Sequence, residues 1–257
     1  MALDVYVMPL WRFKAGDFTS PIEETLGIKP TVVSLSDVPA PRPPWYLRWL
    51  AAVGIVEIIP PPAPPEPLDP ATRRERAQEE VHALKAELSR LTGGPVDWHD
   101  EGTVHYNNQF HASGFLRAFA AWHDHREAMP EFLPAPPDKD HNNYPVWSQP
   151  QPGRRRFPTL AGHSLYTGYF LPVPFTGVYE VEPFKMMGVW DTHHDVASSQ
   201  TTLAELDELL ASVAGLSAAG GSPEHVRHVE TARTWAGILR QICVLSVEHD
   251  LPVIFHG

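Results

Sequence analysis

A single α/β or α+β domain, built as a mixed sheet with helices packed on it and long proline-rich loops, is the fold class this sequence predicts. Three observations carry that expectation. Apolar and polar residues alternate with period two at the start of the chain, between residues 167 and 182, and at its end. Long segments between them repeat apolar residues at spacings of three and four, as helices with one buried face do. The last of those segments runs directly into the apolar stretch Pro252 to Phe255, a helix-to-strand return that puts the final strand in the same sheet as its predecessors.

The 257 residues can bury a core without disulfides or metals, and 43% hydrophobic with 20% charged residues is globular composition. One domain over 1–257 is expected. The 28 prolines demand long connections, concentrated at 38–70 and 130–158. A single cysteine, Cys243, leaves no internal disulfide framework and fits a reducing compartment, so the expectation is a cytoplasmic protein. Residues Met1 to Leu10 lack the basic start and small-residue cleavage site of a signal peptide, and Trp45 to Ile59 is too short and too charged to span a bilayer. No membrane partner is expected. The net charge of -11 argues against nucleic acid as a partner and favours a basic protein partner.

The elements follow in order. Leu3, Val5 and Val7 alternate with polar neighbours, giving a strand over Leu3 to Met8 closed by Pro9. A short helix over Trp45 to Ala52 and a strand over Ile55 to Ile59 fit between the proline runs, and Pro60 to Pro67 should be stiff and polyproline-like. Asp69 before Pro70, or Thr72 with Glu75, starts an amphipathic helix whose apolar stripe is Ala77, Val81, Leu84, Leu88 and Leu91, ended by Gly93-Gly94. Ser113 starts a second helix with Phe115, Leu116, Phe119 and Trp122 inward, running to about Ala128. His123 and His125 on it point about 200° apart and cannot share one ion. His123 is expected as a core histidine and His125 as a solvated one. Thr167 to Phe175 alternates as a strand whose prolines place it at a sheet edge, and the Thr176-Gly177 turn leads to a strand over Val178 to Glu182, making a hairpin. Phe184 to Trp190 suits a buried strand. Thr202 with Glu205 reads as a capping box for a helix stopped by Gly215, and Ser222-Pro223 starts a helix with the inward stripe Val226, Val229, Ala232, Trp235, Ala236, Leu239, Ile242, Cys243 and Ser246.

Chemistry is sparse. Gly162-His163-Ser164 begins like a nucleophile elbow, but Tyr166 stands where glycine is needed and a strand follows where a helix is required. No phosphate loop, dinucleotide fingerprint, HExxH or EF-hand spacing occurs. The strongest polar group is Asp191, Thr192, His193, His194, Asp195. In an extended segment Asp191, His193 and Asp195 share a face with about 6.5 to 7 Å between neighbours. They could hold one divalent metal with His163 as fourth ligand, or act as an acid and base pair. The competing reading makes the aspartates turn and capping residues and the histidines structural.

The segment His163 to Phe175, HSLYTGYFLPVPF, resembles an HSDCDGYYLPVxF-type segment of uncharacterised bacterial proteins. The ending HDLPVIFHG is similar to their HGLPIIFDG, and the opening LDVYVMPL is similar too. At Leu165 to Thr167 the acidic and cysteine positions of that pattern are replaced. The resemblance implies a shared fold, and an immunity or accessory role by association. Two function classes follow. The first is a noncatalytic acidic binding protein, immunity-like or accessory, with no cofactor, acting through its acidic surface and proline-rich loops. The second is a metal-dependent hydrolase centred on Asp191, His193, Asp195 and His163.

Overall fold

The computed structural model of the chain describes residues 3–18, 68–110, 113–127, 130–132, 155–181, 194–219 and 221–256. The strands are β1 Leu3–Val7, β2 Tyr106–Phe110, β3 Gly168–Leu171, β4 Tyr179–Val181, β5 His194–Ser198 and β6 Val253–His256. The helices are α1 Leu10–Ala15, α2 Pro70–Thr92, α3 Ser113–Trp122, α4 Pro158–Gly162, α5 Ser199–Ala219 and α6 Pro223–His249, with a 3₁₀ turn at His123–His125 after α3. The strands form one sheet in the order β2-β1-β6-β3-β5-β4. It is mixed, as expected: β6 runs antiparallel to both β1 and β3, while β3 and β5 are parallel.

The pleat assigns the two faces. Val5, Val7, Phe170, Ala197, Val253 and Phe255 point to one side and pack with residues of α3, α4, α5 and α6. Tyr6, Met8, Tyr169, Leu171, Val196 and Ile254 point to the other and meet α1 and α2. The result is a three-layer α/β architecture with the sheet buried on both sides. In α2 the Asp69 carboxylate accepts from the amides of Ala71 and Thr72, so Asp69, not Thr72, is the cap, and Gly93 ends the helix with φ 73°. Its buried stripe is Ala77, Val81, Leu84 and Leu88. In α6 the Ser222 hydroxyl accepts from the His225 amide, and Val229, Ala232, Ala236, Leu239, Ile242, Cys243 and Ser246 are buried as the periodicity predicts. Trp235 is only half-buried against that core.

Several expectations are corrected. Strand β3 is interior, between β6 and β5, because Pro172 and Pro174 lie beyond its last residue and cost the ladder nothing. The expected hairpin does not form: both edges of β3 are taken, so β4 pairs with β5. Strand β5 itself occupies residues read as a polar connector, and β2 was not expected, since its sequence YNNQF is poor in the β-branched residues that mark strands. Helix α5 starts at Ser199, ahead of the proposed Thr202 cap, and passes through Gly215 to Ala219. His123 is buried with Nε2 against the Ser212 hydroxyl at 3.3 Å, whereas His125 is half-buried instead of solvated. The elements expected at 45–59 and 184–190, and almost all of the 38–70 and 130–158 connectors, lie outside the described residues. No described helix is long and apolar enough to cross a membrane.

Candidate functional site

Of the residues singled out in the sequence, Asp191 and His193 lie outside the described residues. The fold does bring His163 and Asp195 together. His163 follows the short helix α4, and its wholly buried ring is set edge-on to Phe170 at 4.6 Å. Nε2–H donates to the Asp195 carbonyl oxygen at 2.9 Å, and Nδ1 accepts the Leu165 amide hydrogen at 2.9 Å. This hydrogen-bond pattern is that of a neutral imidazole with both nitrogens engaged. Burial pushes its pKa down to about 4, against the opposing pull of Asp195. The Asp195 carboxylate accepts the Ser164 amide at 2.7 Å, and the Ser164 hydroxyl donates to the Thr167 carbonyl at 3.0 Å. Histidine, serine and aspartate thus build the turn that delivers the chain into β3. Gly168 completes it: at φ 126° a Cβ there would stand 2.1 Å from the Asp195 carbonyl oxygen. Among the described residues no three of His, Cys, Asp and Glu are placed to hold a metal ion.

A different cluster has the form of an interaction site. The segment joining α2 to β2 carries Asp97, Asp100 and Glu101 within five residues, and Asp250 at the end of α6 reaches it, its Oδ2 accepting the His99 amide at 2.8 Å. Together with α1 and α2 they line a groove of about 590 Å³ whose walls, among the described residues, hold four carboxylates against one lysine, Lys85. Asp100 forms its inner wall: Oδ1 accepts from the Leu10 amide at 2.6 Å and the Trp98 indole at 3.1 Å, and Oδ2 from the Trp11 amide at 3.1 Å. Burial raises the pKa of Asp100, and those donors oppose the rise. Asp97 and Glu101, by contrast, are 80% and 82% exposed. Lys85 bonds Asp97 at 2.7 Å and lies 4.6 Å over the Trp98 ring, holding the Asp97 carboxyl below its ordinary range. The groove therefore combines outward carboxylates, exposed imidazoles of His82 and His99, and indoles at Trp11 and Trp98.

On α2 and on part of α5 acid is matched by base. On α2, Glu75, Glu79, Glu80 and Glu87 alternate with Arg73, Arg74, Arg76, Lys85 and Arg90. On α5, Asp207 and Glu208 pair with Arg240 at 2.5 Å and Arg156 at 2.6 Å. The groove is not legible in the sequence because its carboxylates come from segments about 150 residues apart. The readable signal was the run DWHDE at 97–101, which has no Lys or Arg.

The chain matches the family described as "Putative DNA-mimic protein" over residues 1–255. No curated protein and no solved structure matches it. The family match corrects the partner expectation drawn from net charge, which set nucleic acid aside and left the partner as an unspecified basic protein: the family description points to proteins that bind DNA.

Proposed function

The chain belongs to this DNA-mimic family, and from that premise we propose that it is a noncatalytic acidic binding protein that occupies the DNA site of a DNA-binding protein. The match across almost the whole chain carries the reading, and the acidic groove is the surface suited to it. Duplex DNA presents about one negative charge per 1.7 Å of axis, and lysines and arginines that neutralise phosphates supply most nonspecific affinity. Asp97 and Glu101 offer exposed carboxylates to the same cations, and the partly buried Asp100 and Asp250 fix the segment that carries them. A preorganised anionic surface gains specificity and association rate more than raw affinity. The overall charge of -11 would steer such a partner from a distance. The immunity-like role fits as one form of this reading, in which the silenced partner cuts DNA. A partner that works on DNA suits the cytoplasmic location expected from the sequence.

Retention of proteins from a DNA-cellulose-bound fraction on the immobilised chain, followed by elution with duplex DNA, tests the reading. Release of a retained protein by duplex at concentrations that saturate its DNA site supports it. Retention that duplex does not disturb would overturn it.

A further inference from the structure

We propose that the groove holds a seat for an arginine side chain of the partner, formed by the Asp97 carboxylate, the Trp98 carbonyl oxygen and the face of the Trp98 indole, and that Lys85 closes this seat in the free protein. The inference rests on the proposed function and deepens it: it names the group of a DNA-binding protein that the groove receives.

The seat suits a cation because it already holds one. Lys85 Nζ donates to Asp97 Oδ1 at 2.7 Å and to the Trp98 carbonyl oxygen at 2.6 Å, and it stands 4.6 Å over the indole ring. A carboxylate, a carbonyl and an aromatic face around one ammonium satisfy its charge and its donors while the ring quadrupole adds attraction. The packing of α2 rests instead on Val81, Leu84 and Leu88, which are buried beside it. The other indole lining the groove, Trp11, also has a cation of α2 set over it, the Arg74 guanidinium at 4.6 Å.

The walls of the seat are fixed, whereas its occupant is free to leave. The Trp98 indole N–H donates to Asp100, which is itself held by the amides of Leu10 and Trp11. On the other side the Val96 amide donates to the Ser89 hydroxyl at 2.8 Å, pinning the chain that carries Asp97 and Trp98 to α2. Lys85 departs by rotation about its flexible stem, into a groove that has room for both cations. An ion pair whose carboxylate is 80% exposed contributes little net stability, because both groups hydrate well on parting. A guanidinium gains more from the same seat: its planar fork bonds both oxygens of one carboxylate, stacks on an indole and is more weakly hydrated than an ammonium. Lys85 therefore sets a threshold that an arginine-rich DNA-binding surface passes and isolated cations do not.

Fluorescence anisotropy with a fluorescein-labelled nona-arginine peptide, at fixed pH and salt, separates the seat from plain charge. Lys85→Met should tighten probe binding about fivefold, whereas Arg90→Met, which removes the same charge from an exposed ion pair elsewhere on α2, should change it by less than about twofold. Asp97→Asn should weaken the probe and cancel the gain in the Lys85→Met, Asp97→Asn protein. Equal gains in Lys85→Met and Arg90→Met, or a gain that survives Asp97→Asn, overturn the seat; circular dichroism checks that each variant folds. The wild-type protein gives a readout that needs no variant. Its Lys85 ε-methylene protons, shifted upfield by the Trp98 ring current, should move to the position of a solvated lysine as nona-arginine is added. Protons that stay in place when the probe saturates the protein show that Lys85 is not displaced and overturn the proposal. Displacement of Lys85 by the probe in a chain whose partner ignores duplex DNA would remove the mimicry and leave the seat.

Discussion

The carboxylate of Glu205 on α5 accepts the amide hydrogens of Thr159, at 2.9 and 3.1 Å, and of Leu160, at 2.9 Å, and so caps α4 from a neighbouring helix. Phe157, the residue in the cap position of α4, makes no side-chain hydrogen bond there, so Glu205 satisfies amides that would otherwise be buried alone. Glu205→Ala should lose about 2 to 4 kcal/mol in urea unfolding, because the amides remain buried and unpaired. Glu205→Gln should lose roughly half as much, since one amide oxygen can still accept. Equal losses in the two variants would argue against the cap.

His163 gives the fold a pH dependence of definite sign. Its folded pKa is depressed to about 4 from an unfolded value of about 6.5, so the neutral ring favours folding. The contribution, of order 3 kcal/mol, is full above about pH 6.5 and is lost as pH falls from there toward 4. His123, also held near 4 by burial, acts in the same window. Urea midpoints measured from pH 7.5 to 4.5 should fall, and His163→Asn should flatten part of that fall. A midpoint that rises on acidification would contradict the assignment.

Trp235 and Leu239 on α6 separate half-buried from fully buried packing. Leu239 is wholly buried, and Leu239→Ala should cost about 2 to 5 kcal/mol. Trp235 lies at the rim with its ring edge-on to Phe110 at 5.3 Å, so Trp235→Ala should cost less, about 1 to 3 kcal/mol. Thermal unfolding of the two variants orders them.

Lys14 and Glu80 tie α1 to α2 through a bond of 3.2 Å in which the lysine side chain is only 3% exposed. Desolvation lowers the Lys14 pKa, and Glu80 counters it. Glu80→Ala should destabilise by about 3 to 5 kcal/mol because a buried ammonium loses the carboxylate it is bonded to. Lys14→Met should cost far less than Glu80→Ala when both are unfolded in urea.

Much of this fold was legible in the sequence where a long periodic stripe is reinforced by a cap. α2 and α6 are legible with their buried faces, because Asp69 and Ser222 and the three-and-four spacings point the same way. Short strands were less legible. β5 offers only Val196 and Ala197 as wholly apolar residues, and its placement beside β3 is set by long-range pairing that local pattern does not encode. Glu205 shows the same limit: its spacing from Thr202 fits a local capping box, yet its carboxylate serves a helix 46 residues earlier in the chain. The groove was least legible, since it exists only once Asp250 is folded against His99.

Asp97 and Glu101 should carry the contact with a DNA-binding partner, being exposed and not needed by the core. Asp97→Asn with Glu101→Gln should leave the melting temperature within about 2 °C, as surface substitutions do. The same protein should bind the retained partner about tenfold more weakly, with a shallower dependence of log K on log salt, as measured by titration calorimetry at several salt concentrations. Unchanged affinity would move the contact to another face.

An equilibrium competition between the protein and duplex DNA for the partner tests the mimicry. A partner retained on the chain and released by duplex is bound to a fluorescent duplex, the protein is titrated in, and anisotropy is followed at fixed salt. Mimicry predicts that the anisotropy falls to that of free duplex, with a midpoint that rises in proportion to duplex concentration. Anisotropy that stays high or increases, as a ternary complex would give, contradicts it.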